Sequence, residues 1–150
     1  MFAAISLHIL SATIWVGGMF FAYMCLRPVA AEELQPPERL TVWTDVFSKF
    51  FVWVWAAIVL LILSGHYMIF VYGGFKNIGM HINIMMLLGY IMMGIFMHVY
   101  FAPFKRMKNA VEQEDWPTAA ANLNQIRKMV AVNLVLGLVT IVVASAGRFI

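Results

Sequence analysis

The sequence predicts an all-α fold, a transmembrane four-helix bundle, and three observations predict it. The chain of 150 residues is 63% hydrophobic and only 11% charged, against about 25% charged in soluble domains. So few charges cannot cover a water-facing surface, so lipid must solvate most of it. Four long apolar runs, Met1–Leu26, Phe50–Tyr72, Gly79–Ala102 and Met129–Gly147, contain no Asp, Glu, Lys or Arg, and a span needs roughly 20 apolar residues. The basic residues sit just outside those runs.

The first helix covers about 1–26 and is closed by Arg27-Pro28. It lacks the basic region that precedes the apolar core of a signal peptide, so it reads as a retained span. The second helix covers about 37–72. Pro36-Pro37 starts it, Leu40, Trp43, Phe47 and Phe50 follow at helical spacing, and Gly73-Gly74 ends it. The third covers about 79–102 and is closed by Pro103 with Lys105, Arg106 and Lys108. The fourth covers about 117–147, with Asp115 as its cap, Pro117 in its first turn, and Leu123 and Ile126 on one face. Helices two and four are expected to continue beyond the membrane as rods. The four form one membrane domain over 1–150, with no internal repeat.

Charge sets the expected orientation. The segments from Arg27 to Lys49 and from Phe104 to Lys128 hold most of the cations, while only Lys76 and Arg148 lie opposite. The positive-inside rule places both long loops in the cytoplasm and both termini in the periplasm, for a chain in a bacterial inner membrane. The net charge of +3 is thus a topology signal, with no sign of nucleic-acid binding. The single cysteine, Cys25, forms no intramolecular disulfide.

Small and polar residues mark packed faces in lipid. His8, Ser11, Ala12, Trp15, Gly18 and Met19 form one such stripe; Asn133, Gly137, Thr140, Ala144 and Gly147 form another. Gly89 and Gly94 are expected to let helix three approach its neighbours. Ionisable residues within the membrane default to a functional hypothesis. His8 and His66 lie at matched depth, about 10 Å inside the same side, with His81 just inside helix three on that side. His98 lies near the opposite end, beside Tyr100, and reads as interfacial. Two histidines at matched depth are a pair that can ligate a haem iron from both sides. Gly17, Gly18, Gly65 and Gly89 would give the ring room, and Trp15, Trp53, Trp55, Tyr67 and Phe70 would wall it. The bland alternative for each histidine is a hydrogen bond to a neighbouring helix. Among the 12 methionines, Met68 and Met80 lie near the histidine-rich side, and thioethers favour Cu(I). Flexible apolar filler is the competing reading of most of them.

The stretch from His8 through Trp15 to Gly17-Gly18 resembles the first helix of copper resistance protein D (CopD) family proteins. Met80-His81-Ile82-Asn83, with Gly89, His98-Val99-Tyr100-Phe101 and Lys105-Arg106, resembles the third helix of the short CopD-like proteins. Ile126-Arg127-Lys128 through Asn133 to Gly137 resembles their last helix. The pattern is also similar to HemJ, the membrane protoporphyrinogen oxidases, which hold haem b; His8 and His81 match that family's histidines. Its lysine position falls on Asn83 here, which argues against protoporphyrinogen oxidation.

These readings give a haem b protein of the inner membrane, active in one-electron transfer or as an oxidoreductase. The site is His8, His66, His81, Trp15 and Gly18. His8 is the first axial ligand, and its partner is His66 by depth or His81 by resemblance. A quinone or a redox partner protein would exchange the electron. No Cys-x-x-Cys-His motif is present, so the haem would be non-covalent. The first alternative is copper binding or transport through His8, His66 and His81 with Met68 or Met80. The second is a cofactor-free structural or assembly subunit. Neither lipid-facing aromatics nor small-residue stripes distinguish a monomer from a homodimer.

Overall fold

The computed structural model describes residues 1–147 and 149; Arg148, one of the two cations set opposite the basic loops, lies outside the described residues. Four helices carry the chain: α1 (Phe2–Glu33), α2 (Pro36–Val71), α3 (Met80–Glu112) and α4 (Trp116–Ala146). Each is long and apolar enough to cross a membrane, and no strand occurs among the described residues. The expected all-α transmembrane architecture is the one observed.

The helix ends follow from local chemistry. Before α2, Glu38 accepts a hydrogen bond from the Gln35 N–H at 3.4 Å, and Pro36 and Pro37 fill positions that need no donor. At its other end Gly73 and Gly74 adopt φ of +90° and +92°. Their amides bond back to the Phe70 and Ile69 carbonyls, a left-handed stop that glycine makes without strain. Asp115 caps α4 by accepting from the Thr118 N–H at 3.3 Å. α2, with 36 residues, is about 54 Å long at 1.5 Å per residue. The hydrocarbon layer is about 30 Å thick, so this helix is longer than a span requires.

Helices one and three depart from the sequence expectation. Pro28 and Pro103 were expected to close them, yet α1 runs on to Glu33 and α3 to Glu112. The backbone widens into a π turn at Ala22–Leu26, just before Pro28, and at Tyr100–Phe104, around Pro103. A proline lacks the amide proton and collides with the carbonyl one turn back. Widening the turn relieves that collision, and the helix resumes.

The helices pack as two antiparallel pairs, α1 with α2 and α3 with α4, and α4 also touches α1 and α2. Phe96 sits at the centre, in edge-to-face contact with Trp15 at 6.2 Å, Phe51 at 5.3 Å and Trp55 at 5.2 Å. Each such pair adds about 0.5–1.5 kcal/mol beyond buried area. Between helices in lipid there is no hydrophobic force, so close fit must hold them. Two glycines supply it: a Cβ on Gly18 would overlap the Phe50 ring, and one on Gly137 would lie 2.8 Å from Val16. Gly89 and Gly94 do not act this way; nothing lies within 4 Å of a Cβ built on either.

Candidate functional site

α1 and α2 run antiparallel, as do α3 and α4. The start of α1, the end of α2, the start of α3 and the end of α4 therefore share one end of the bundle. His8, His66 and His81 all lie at that end, and His98 lies toward the other. The three rings do not meet. Each occupies a different seam between helices.

His8 sits in the α1/α2 seam, its Nδ1 2.9 Å from the Ser64 hydroxyl. The single Ser64 proton is donated to the Leu60 carbonyl one turn back, so Ser64 Oγ accepts from His8 Nδ1–H. That leaves the lone pair on Nε2. Gly65 keeps this seam narrow, since a Cβ there would lie 3.2 Å from His8 Cε1. His66 faces the α2/α3 seam. Its Nδ1 donates to the Ile62 carbonyl at 2.8 Å, and its Nε2 accepts from the Tyr90 hydroxyl at 2.9 Å. Both rings are thus oriented through Nδ1–H, with the lone pair on Nε2, the form in which outer-shell partners hold a metal-binding imidazole. His81 lies in the α3/α4 seam, where a Cβ on Gly147 would lie 2.6 Å from its Cβ. Met68 follows Ser64 by four residues, so it shares the face of α2 that meets His8. Met80 is 77% exposed and stands away from the packed interior. Among the described residues no group of three His, Cys, Asp or Glu side chains is placed to hold a metal ion.

A haem held by His8 and His66 does not fit this arrangement. His8 turns toward α2 itself and His66 toward α3, so no single iron lies between them. The contact at Gly65 leaves no slot between α1 and α2 for a ring as wide as a helix. The expected walls are also elsewhere. Trp53, Tyr67 and Phe70 are exposed on the outer surface, while Gly17 and Gly89 meet nothing within 4 Å. Trp15 and Gly18, seven and ten residues along α1 from His8, lie about 10 and 15 Å further in. They line an inner cavity of about 260 Å³ with Met19, Phe96 and Asn133.

Asn133 is the polar feature of that cavity. It is buried and donates from Nδ2 to the Met92 carbonyl at 3.2 Å, and its Oδ1 has no partner. Turning the amide over would set two oxygens face to face, so the free atom is the acceptor. Its place in the small-residue stripe of the last helix marked it as interior. Its missing partner was invisible, because that depends on what α1 and α3 place beside it. Ser64 and Tyr90, which orient the two histidines, were missed for the same reason: each acts from another helix.

At the opposite end a larger cavity of about 500 Å³ opens among α1, α2 and α4, lined by Arg27, Arg39 and Arg127 among aromatic and aliphatic side chains. The sequence marked these arginines only as topology signals.

Four membrane-length helices define a multi-pass α-helical membrane protein, with three histidines in separate seams at one end. The family model of copper resistance protein D matches residues 44–146, from within α2 to the end of α4. The chain belongs to the CopD family. No curated protein and no solved structure matches it.

Proposed function

We propose that this protein binds copper at the histidine end of the bundle as part of a membrane copper-handling role. The observation that carries the reading is the match to copper resistance protein D across α2, α3 and α4. The chemistry of the histidine end supports it. His8 and His66 spend Nδ1–H on Ser64 and Ile62, so Nε2 is the donor atom each offers. A copper ion takes the place of the Tyr90 hydroxyl on His66 Nε2. Met68, on the His8 face of α2, supplies a thioether, a soft donor suited to Cu(I). His81, in its own seam, is a further imidazole at the same level. Copper is the cargo here, and sparse donors in separate seams suit an ion that must leave as well as arrive. By the positive-inside rule this end faces the periplasm of a bacterial inner membrane.

Copper content of the purified protein after loading with Cu(I), measured by elemental analysis and by competition with a chromogenic chelator, tests the reading. The expected result is stoichiometric copper in the wild-type protein and its loss in His8→Ala/His66→Ala. Protein that folds yet holds no copper overturns it and leaves an assembly role. A b-type band in the reduced-minus-oxidised spectrum also overturns it.

A further inference from the structure

The large cavity at the basic end has a composition that copper chemistry does not use. Arg27, Arg39 and Arg127 reach it from α1, α2 and α4, and Tyr23, Trp43 and Trp116 form much of its wall. No acidic residue lines it among the described residues. Of the carboxylates close in sequence, Glu38 accepts from the Gln35 N–H and Asp115 from the Thr118 N–H, and Glu32 and Glu33 lie outside the lining. Arg27 stacks over the Tyr23 ring at 4.7 Å, and Arg39 donates to the Ala31 carbonyl at 3.4 Å. Both contacts orient a guanidinium without neutralising it. Three converging cations in a largely apolar pocket form an anion site. Guanidinium forks match phosphate oxygens in particular.

The position selects the kind of phosphate. Arg27 directly follows the charge-free run Met1–Leu26, and Arg127 with Lys128 precedes the run Met129–Gly147, which is where lipid headgroups meet helices. Tryptophan and tyrosine prefer that level. Apart from the arginines and Asn124 the wall is aliphatic and aromatic, and it adjoins the inner cavity through Ala22, Phe47 and Val130, which line both. Apolar volume therefore continues inward from the cations. A free anion would leave that volume unfilled, and an acyl chain fills it.

We propose that this cavity is a binding site for an anionic phospholipid, with its phosphate held by Arg27, Arg39 and Arg127 and its glycerol end packed against Tyr23, Trp43 and Trp116. This does not rest on the copper reading. Basic pockets between membrane helices hold anionic headgroups in this way, and each cation near the surface contributes about 1 kcal/mol.

Native mass spectrometry of the intact protein, titrated in detergent with phosphatidylglycerol, tests the site. The wild-type protein retains phosphatidylglycerol and not phosphatidylcholine. Arg27→Gln/Arg39→Gln/Arg127→Gln weakens it about 100-fold, whereas Lys105→Gln/Lys108→Gln, which removes two exposed cations from the same end, leaves it unchanged. Ala120→Trp, which fills the cavity and keeps all three arginines, lowers lipid retention too; it serves where the triple variant does not fold. Equal loss in the lysine control, equal retention of phosphatidylcholine, or unchanged binding in Ala120→Trp overturns the proposal. So does complete displacement of the lipid by inorganic phosphate, which would mark a free-anion site.

Discussion

At the histidine end α1 and α2 approach so closely that a Cβ at residue 65 would lie 3.2 Å from the His8 ring; at the arginine end the same two helices, with α4, stand apart around about 500 Å³. The first end offers nitrogen lone pairs on rings oriented by a hydrogen bond to a serine or a backbone carbonyl. The second offers fixed positive charge in a carbon-lined space. One arrangement suits a cation, the other an anion. The difference shows that a single bundle can set its preference at each end by how much room its helices leave, since imidazole needs a close partner to orient it and guanidinium needs space around it.

Substitutions at both ends break or sharpen this contrast. The largest effect is expected from His8→Ala/His66→Ala, which should lower Cu(I) affinity by more than the roughly 10–100-fold that even outer-shell partners cost. The arginine triple variant should leave that affinity unchanged in the same chelator competition. Ser64→Ala removes the acceptor of His8 Nδ1–H and should lower Cu(I) affinity about 10–100-fold while phosphatidylglycerol retention stays constant. Gly65→Val drives a side chain into His8 and should cost about 1–3 kcal/mol in detergent unfolding, as overpacking does elsewhere. At the other end Arg106 differs from its neighbours, because it donates to buried Asn122 at 2.9 Å and to Gln125 at 3.2 Å. Arg106→Ala should cost about 1–3 kcal/mol by stranding a buried acceptor, whereas Arg27→Gln should stay within about 0.5 kcal/mol. A similarly small effect is expected from Tyr90→Phe, near 0.6 kcal/mol, the average for a hydrogen bond between membrane helices. It should not weaken copper, because it frees His66 Nε2.

The spans, their caps and their inward faces were legible because each depends on residues close in sequence. Asp115 caps the amide three positions on, Gly73-Gly74 ends α2 locally, and the stripe holding Ser11, Trp15 and Met19 is buried as its spacing implied. The common level of His8, His66 and His81 also followed from counting residues along alternating spans. Their separation did not. Which seam a ring enters depends on helix rotation, and rotation is fixed by contacts such as Phe50 under Gly18. The sequence therefore supported a paired haem site that the seams do not accommodate. The arginine cavity was hidden differently: Arg27, Arg39 and Arg127 are far apart in the chain, and their convergence depends on how α1, α2 and α4 pack.

Those two prolines have a consequence for how the protein tolerates insertions. A π turn carries one residue more than the flanking helix expects, and one residue corresponds to about 100° of rotation. The stretch Ala22–Leu26 therefore acts as an indexing joint in α1. It sets the angular phase of Arg27 and of buried Ala30 independently of the phase that His8 and Trp15 require. Deleting one residue there would restore an ordinary helix and keep every span intact. It would also swing the arginine out of register with its two counterparts, so the two halves of α1 can be retuned separately by a single-residue change in length.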